Sequence, residues 1–598
     1  ATDAGREGEL IFRFIYEYLE CKKPFQRLWI SSLTDKAIED GMAHLREGHE
    51  YDALARAARA RAEADWIVGI NASRALSIAA GTGSYSLGRV QTPTLALVVR
   101  RFLEHRHFVP REYYRIAATI ECDGAAVTIK SEETFEHRDD AQKAWQRLQA
   151  NPTLTVERVD RGERVEQPPR LHDLTSLQRE ANKAHGLSAE QTLKVAQRLY
   201  EKKLITYPRT GSQHITEDIM ETIPGLIGSL DQHPLLGEAA RGMRGGTLNR
   251  QPVDAAKVTD HHALLITGTT PGELDDHERT ILEMIATRML EAFSTPAVYQ
   301  AVSATMTAGG ITFKCSAAVP RELGWKAIAR AQAQETEEEP EREELPLRAL
   351  PTWERGQAVP MAQSGVHTAC TKPKPLFTDA TLLAAMEHAG RELEAKEQKE
   401  AIRDTGLGTP ATRAATIETM IGRGYVERKK RYLVPTDKGL AVYGIVKTMR
   451  IANPELTASW EIALAAIEEG KGIADEFNQR IGEYAAMICQ ELLASRMQRT
   501  DHELETCPRC GQKTLMYRPK LARCTDEQCG LKVWRTHFAK ELTQAQLRAL
   551  IQKGKTPLIQ GLVSRAGSTF AAHILLDPST GRTSLQFPEK STRNNSNR

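Results

Sequence analysis

A phenol and a guanidinium stand two residues apart in segment 204–210, which reads LITYPRT. Side chains at i and i+2 of an extended segment point to the same side, so we expect Arg209 beside the oxygen of Tyr207. A free tyrosine has a pKa of about 10 and is a poor nucleophile, but a nearby cation favours the phenolate and can hold a phosphate. The segment could therefore attack a phosphate. The alternative is a buried tyrosine at a strand end with a surface arginine.

A second candidate lies in the first ten residues, ATDAGREGEL. Asp3, Glu7 and Glu9 crowd carboxylates into a glycine-containing turn, and an apolar helical stretch follows. Clustered carboxylates at such a loop suit Mg²⁺, which keeps several waters and bridges to phosphate oxygens. The helix dipole also favours acids at a helix N-terminus. That alternative explains Glu7 and Glu9 better than it explains the order of the whole turn.

Four of the nine cysteines are clustered with the spacing C-x2-C-x13-C-x4-C, at Cys507, Cys510, Cys524 and Cys529. Two short knuckles separated by a hairpin-length insert are typical of a tetrahedral Zn²⁺ site. A pair of disulfides would need an oxidising compartment, and the other cysteines are scattered as in a cytoplasmic protein. We therefore expect a structural zinc ion.

The two candidate segments together resemble the type IA DNA topoisomerases, especially the bacterial topoisomerase III branch. The acidic turn is similar to the end of that family's Toprim domain, and the Tyr207 segment is similar to its nucleophile motif. The resemblance covers about residues 1–590. Further motifs follow in the family's order at 86–95 (SLGRVQTPTL), 174–178 (LTSLQ), 260–263 (DHHA), 406–413 (GLGTPATR) and 460–461 (WE).

This resemblance implies catalytic roles for five residues. Tyr207 would join a DNA 5′-phosphate, and Arg209 would stabilise the charge of the pentavalent phosphate. Asp3 and Glu7 would hold Mg²⁺, and His261 matches the family's DNA-contacting histidine. The expected DNA-binding residues are Arg89, Gln91, Thr210, Ser212 and Arg413.

The sequence departs from the family pattern in three places. Gly5 occupies the middle position of the usual Asp-x-Asp-x-Glu turn, which makes the number of bound Mg²⁺ ions an open question. Gly211 replaces the aspartate that usually follows Arg-Thr. A Toprim domain also has strands and helices before this turn. We therefore expect the sequence to begin inside that domain, or its numbering to exclude an N-terminal part.

The resemblance implies a multidomain α/β plus α fold with the toroidal type IA architecture: a partial Toprim domain, winged-helix-like domains, a β-rich arch and a C-terminal zinc ribbon. The expected divisions are 1–50 (Toprim), 51–108 with 376–500 (helical, DNA-binding), 109–168 with 286–375 (β-rich arch), 169–285 (helical, carrying Tyr207), 501–535 (zinc ribbon), 536–590 (topoisomerase C-terminal repeat) and 591–598 (disordered tail).

Local patterns predict individual elements. Ser188 and Gln191 form a capping-box pair before an amphipathic helix, and Pro410 suits a first helical turn after Thr409. Alternating apolar residues predict strands over 112–168. The sequence also predicts a hairpin at 425–434, a short helix at the start of 545–570, and a solvated loop for the acidic run 335–344.

The formal net charge of the 598 residues is +2, so DNA contacts must come from local patches. The segment 507–598 is locally basic, with 16 Lys and Arg against five Asp and Glu. The sequence contains no apolar run of 18 residues and no P-loop, so we expect no membrane span and no ATP. The expected partners are single-stranded and underwound duplex DNA. A helicase or a single-strand-binding protein is a further candidate partner. We expect the protein to be a monomer in the bacterial cytoplasm.

Three alternatives remain. A relaxase or tyrosine recombinase also forms phosphotyrosine, but the relaxase histidine cluster and the recombinase Arg-His-x-x-Arg set are not evident. A primase or nuclease using the acids alone leaves Tyr207 unexplained. The third alternative is a non-catalytic fragment of a topoisomerase that binds single-stranded DNA.

Overall fold

The computed structural model describes residues 2–31, 34–81, 83–122, 124–328, 351–392, 398, 400, 406–495, 505–517, 520–526, 528–564 and 567–588. The chain divides into two compact units, Ala1–Arg496 and Met497–Arg598. The expected solvated loop at 335–344 and tail at 591–598 lie outside the described residues. Among the helices of the described ranges, we found none with the length and apolar character needed to cross a membrane.

The first unit contains fifteen labelled helices within its described ranges. They are α1 Arg6–Tyr18, α2 Asp35–Ala43, α3 Asp52–Ala80, α4 Gln91–Arg106, α5 Arg138–Gln149, α6 Leu174–His185, α7 Ala189–Glu201, α8 Glu217–Ser229, α9 Gly237–Gly242, α10 Asp276–Phe293, α11 Asp379–Glu387, α12 Pro410–Gly422, α13 Asp437–Val446, α14 Pro454–Glu468 and α15 Ala474–Ala494.

Its strands form one large sheet and two short pairs. The strands are β1 Gln26–Arg27, β2 Arg46–Glu47, β3 Glu112–Cys122, β4 Ala125–Lys130, β5 Thr153–Glu166, β6 Ala297–Ala308, β7 Ile311–Glu322, β8 Ala358–Cys370, β9 Val426–Lys429 and β10 Tyr432–Pro435. The pairs are β1–β2 and β9–β10.

The six-stranded sheet has the order β4-β3-β8-β5-β6-β7, and its neighbouring strands are antiparallel. It therefore draws strands from both sequence segments of the expected arch. The alternation expected from residue 112 onward is present, since Ile116, Ala118 and Ile120 of β3 are buried. The prediction of strands throughout 112–168 was wrong at α5, whose Ala144 and Leu148 cover the sheet core.

Helix α3 is packed along its alanine-rich face. Its buried positions include Ala57, Ala64 and Ala72, and it contacts α14 and α15. Small side chains allow helices to approach closely, which explains a long helix with few large apolar residues. The helix ends at Gly81, whose φ of 69° is in the left-handed region that favours glycine. The sequence segments 51–108 and 376–495 therefore share one helical layer.

Helices α6, α7, α8 and α10 surround the core beneath the Tyr207 segment. The predicted capping box of Ser188 and Gln191 begins α7 and is confirmed. A second capping box, of Asp275 and Glu278, begins α10. The expected boundary at 285–286 falls inside α10, because this helix continues to Phe293 and buries its last turn in the same core.

The second unit contains three small sheets and one helix within its described residues. The helix is α16 Gln544–Lys553, and the strands are β11 Glu505–Thr506, β12 Lys513–Tyr517, β13 Leu521–Cys524, β14 Lys532–Trp534, β15 Thr536–His537, β16 Lys540–Glu541, β17 Ile559–Val563, β18 Thr569–Leu576 and β19 Thr583–Gln586. Buried residues from 507–533 and from 542–576 form one core.

Candidate functional site

Two loops of the first unit bring Tyr207 and His261 together. Thr206 donates its backbone N–H to the carbonyl of Leu265, and Ala263 donates to the carbonyl of His214. These bonds align segment 204–215 with segment 261–267. The phenol ring of Tyr207 then lies 4.6 Å from the imidazole ring of His261, measured between centroids. The two residues come together because their backbones pair, although their sequence positions are far apart.

The acidic turn also approaches His261. The Nε2 atom of His261 is 3.5 Å from Oδ1 of Asp3. Asp3, Glu7, Tyr207, Arg209 and His261 all line one large cleft with a volume of about 2360 Å³. The structure thus brings together all five residues to which the resemblance assigned catalytic roles.

The electrostatics at Tyr207 differ from the expectation that a cation would favour its phenolate. Burial raises the pKa of Tyr207, and the charge of Asp3 and the neighbouring Tyr200 raise it further. The positive charge of Arg209 lowers it, but does not offset the burial. The phenol is therefore protonated at neutral pH, and Arg209 cannot by itself ionise it.

The three acids of the turn have different environments. Asp3 and Glu7 are exposed to the cleft, whereas Glu9 is fully buried and forms ion pairs with Arg13 at 2.7 Å and Arg27 at 2.8 Å. Glu9 therefore stabilises the base of α1 and has no oxygen facing the cleft. The spacing pattern alone could not separate the two exposed acids from the buried one.

Arg89 is buried and paired with two acids. It donates to Asp65 of α3 at 3.0 and 3.2 Å and to Glu461 of α14 at 3.0 Å. Glu461 also accepts from Arg6 at 2.7 Å, and the Arg89 guanidinium lies 5.0 Å from the Trp460 ring centroid. This network joins the acidic turn to two other helices, and it gives the 460–461 motif a structural explanation.

The other expected DNA-binding residues also make contacts within the protein. The Gln91 amide donates to the carbonyl of Ser86 at 3.1 Å. The Thr210 hydroxyl donates to the carbonyl of His261 at 2.9 Å, and the Ser212 hydroxyl donates to the carbonyl of Lys257 at 3.0 Å. Arg413 is buried and donates to Thr175 at 2.9 Å. Gln91 and Ser212 line the cleft. Their role in DNA binding stays a prediction.

The charges that line the cleft nearly cancel. Nine Lys and Arg residues face eight Asp and Glu residues, but Arg6 and Arg89 are already held by acids. Within the described ranges, Arg61, Arg170 and Arg209 form no ion pair and line the cleft. These three cations are therefore available to a phosphate backbone. Arg61 and Arg170 were not among the sequence candidates, because no motif distinguished them from other surface arginines.

The cysteines of the second unit converge as the spacing predicted. The four sulfur atoms lie within 4.8 Å of one another. Hydrogen bonds from Thr514 and the Gln512 amide lower the pKa of Cys510 to about 7, whereas burial raises the pKa of Cys507. The knuckle glycines Gly511 and Gly530 have φ of 72° and 60°, the left-handed turns that bring the flanking sulfurs together. Four convergent thiols at this spacing fit Zn²⁺.

Among the described residues, these cysteines are the one group of three or more metal-ligand side chains whose ligand atoms come this close together. The carboxylates of the cleft are spaced more widely. Mg²⁺ keeps several waters and takes one or two carboxylates together with substrate phosphates, so Asp3 and Glu7 stay the sequence-based candidates for this ion. The two candidate metal sites therefore differ in both donor type and spacing.

Two known protein families match this chain, one over most of the first unit and one within the second unit. Residues 49–479 match the family described as "DNA topoisomerase", and residues 528–588 match the one described as "C-terminal repeat of topoisomerase". The first match covers most of the chain and includes Tyr207, His261 and the 460–461 motif.

Individual proteins show the same relationship. The chain is 38% identical over 548 residues to DNA topoisomerase 3 of Shouchella clausii, covering 89% of this chain and 74% of that protein. It is 36% identical over 545 residues to DNA topoisomerase 3 of Bacillus subtilis, with the same coverage of 89% and 74%. The solved structure of full-length topoisomerase I from Thermotoga maritima is similar with a TM-score of 0.62 and 25% identity, covering 91% of this chain and 86% of that one.

Proposed function

Because the chain belongs to the type IA DNA topoisomerase family, we propose that it breaks single-stranded DNA transiently through Tyr207, passes a strand through the break and rejoins it. The observation that carries this proposal is the grouping of Tyr207, His261 and Asp3. One nucleophile, one imidazole and one exposed carboxylate lie next to one another at a cleft of about 2360 Å³.

The cleft residues suggest how the reaction proceeds. The Tyr207 oxygen forms a bond to phosphorus as the bond to the 3′ oxygen of DNA breaks, which leaves a 5′-phosphotyrosine. Arg209, exposed and without an ion pair in the described ranges, would stabilise the charge on the phosphate oxygens through charge-assisted hydrogen bonds. Since the phosphotyrosine keeps the bond energy, rejoining needs no ATP.

The environment of Tyr207 defines what the substrate must supply. Burial holds the phenol in its protonated form, so the phenol gives up its proton as the phosphate is attacked, and the leaving 3′ oxygen takes up a proton to become a hydroxyl. The imidazole of His261 packs against the ring and faces Asp3, so it would orient the incoming phosphate. Asp3 and Glu7 would hold Mg²⁺, which when bound helps to position DNA phosphates.

Single-stranded DNA is the substrate that the cleft favours. Trp66 of α3 is 67% exposed and lines the same cleft as Arg61 and Arg209. Aromatic side chains stack on bases, and arginines bind the phosphate backbone without reading its sequence. The zinc ribbon and C-terminal repeat would add a second, basic DNA-binding region. Supercoil relaxation and decatenation are both consistent with this chemistry.

The test is trapping of the covalent intermediate. Labelled single-stranded DNA is incubated with the chain and Mg²⁺, quenched in detergent and resolved on a denaturing gel beside Tyr207→Phe. We expect a protein-linked 5′ adduct with the unsubstituted chain and none with the variant, at equal DNA binding. If neither protein forms the adduct and both bind DNA in a salt-sensitive manner, the alternative of a non-catalytic single-strand-binding chain is correct.

A further inference from the structure

The ring of Tyr207 has a second aromatic neighbour besides His261. The ring of Tyr200 lies 5.3 Å from that of Tyr207, measured between centroids, and the two planes are inclined by 73°. This is the edge-to-face arrangement that aromatic pairs prefer. The phenol is therefore contacted by two rings, one from helix α7 and one from the segment that pairs with the Tyr207 segment.

A tight turn brings Tyr200 and Tyr207 together. Tyr200 lies in the last turn of α7, and its carbonyl accepts a hydrogen bond from the backbone N–H of Lys203 at 2.8 Å. Lys203 has a φ of 60°, which is uncommon for a residue with a side chain. Leu204 then donates to the carbonyl of Leu199 at 2.9 Å, and both leucines are buried. The turn is thus anchored in the core, and it sets the position of one ring relative to the other.

The contact with Tyr207 involves the ring of Tyr200 and not its hydroxyl. Within the described ranges, the Tyr200 hydroxyl forms no hydrogen bond, and Tyr200 does not line the cleft. Its side chain packs at the edge of the core beneath the Tyr207 segment. Tyr200 therefore has no group directed at a DNA strand, and any effect on the reaction passes through Tyr207.

We propose that Tyr200 is a positioning residue, which holds the phenol of Tyr207 in the orientation needed for attack on phosphorus. The inference rests on the proposed function, since that function makes Tyr207 the nucleophile. A tyrosine side chain rotates about two single bonds, so its oxygen can take several positions. Rates of attack fall steeply when the reacting atoms are misaligned. The edge contact restricts this rotation before DNA binds.

The test measures the rate of adduct formation at saturating single-stranded DNA with Mg²⁺, and DNA affinity separately by fluorescence anisotropy. We expect Tyr200→Leu, which lacks the ring, to slow the reaction by about tenfold at unchanged affinity. Tyr200→Phe keeps the ring and should retain the rate to within about twofold. The control is Leu282→Ala on α10, because Leu282 is also a partly buried residue packed against the same core. It should leave the rate at saturating DNA unchanged.

Equal rates in Tyr200→Leu and the unsubstituted chain would overturn the inference and leave the proposed function standing. An equally slow Tyr200→Phe would also overturn it, as would an equally slow Leu282→Ala, since general loss of core packing would then explain the effect. Tyr200→Met keeps more side-chain length without a ring and gives the same comparison if Tyr200→Leu does not fold. Absence of the adduct in the unsubstituted chain would instead reject the proposed function, and the inference with it.

Discussion

The imidazole of His261 lies against the phenol of Tyr207, with ring centroids 4.6 Å apart and planes inclined by 56°. The contact covers part of the phenol ring, and the Nε2 atom of the same imidazole lies 3.5 Å from Oδ1 of Asp3. His261 is therefore the residue through which the position of Tyr207 depends on the acidic turn.

We expect His261→Gln to slow formation of the Tyr207 adduct by about a hundredfold, because the variant keeps a polar group but loses the ring that packs on the phenol. The measurement is the initial rate of adduct formation, with DNA binding followed separately by fluorescence anisotropy. His185→Gln, at the exposed end of α6, serves as the control. Equal adduct rates for the two variants would show that the ring contact has no part in the reaction.

Neutralising Glu461 is expected to destabilise the first unit. Glu461 forms ion pairs with both Arg6 and the buried Arg89, so Glu461→Gln removes a charged partner from each of these two guanidinium groups. Removing one partner of a buried ion pair typically costs about 3 kcal/mol or more. Urea denaturation of the full chain measures the change in the free energy of unfolding. Glu455→Gln, exposed in the first turn of the same helix, should change it little.

How far the sequence predicts this site depends on which contacts are local. Capping signals depend on residues within one turn, so the Ser188–Gln191 capping box is confirmed, as is Pro410 in the first helical turn after Thr409. The zinc cysteines are confirmed as a cluster because knuckle spacing is itself a geometric constraint. The helix α5 was missed since its apolar positions lie among charged residues, and its burial against β3 comes from tertiary packing.

Arg89 and Arg413 show that a sequence motif does not reveal whether an arginine is exposed to a ligand or buried in the protein. Their sequence motifs identified both as candidates, but only the fold shows that each side chain is buried against other protein groups. Asp260 shows that a motif can also miss a contact. The 260–263 motif pointed to His261, whereas in the fold the carboxylate of Asp260 lies against the backbone of Gly5. The contact with Gly5 depends on two segments that no local pattern relates.

Glu278 gives a pH-dependent prediction. Its carboxylate accepts hydrogen bonds from Lys202 and Arg198, the first being the stronger cause, and its pKa falls to about 2. In the unfolded chain the pKa is about 4.3. The lowered pKa stabilises the fold above about pH 4.3, and this contribution is lost as the pH falls towards 2.

Urea midpoints of Glu278→Gln and the unsubstituted chain should therefore differ at pH 7, and the difference should narrow below about pH 4.3. Glu273→Gln, an exposed residue just before the same helix, should show no such change with pH. If the two urea midpoints differed by the same amount at pH 7 and at pH 3.5, Glu278 would stabilise the fold through its shape and not through its charge.

Removal of zinc should affect the second unit selectively. We expect one Zn²⁺ per chain, released when the protein is unfolded with a chelator and measured with a colorimetric indicator. Cys524→Ser should lose the ion, because thiolate is the ligand and a serine hydroxyl binds Zn²⁺ poorly. Limited proteolysis should then cleave within 505–588 while the first unit stays intact. Cys370→Ser, which changes an exposed cysteine outside the cluster, should keep its zinc. A zinc content of one in both variants would contradict the assignment.

The salt dependence of DNA binding should separate a phosphate contact from a positioning residue. Each phosphate neutralised on single-stranded DNA contributes about 0.7 to the slope of log affinity against log salt. Arg209 is exposed to the cleft, so Arg209→Ala should reduce that slope by about 0.7. Thr210 is buried, and its hydroxyl is bonded to the His261 carbonyl, so Thr210→Val should slow adduct formation and leave the slope unchanged.

Arg279→Ala, on the exposed face of α10, controls for loss of charge alone. If Thr210→Val and Arg209→Ala reduced the slope equally, the effect of Arg209 would reflect the shape of the loop, and the phosphate contact would have to be sought at Arg61 or Arg170.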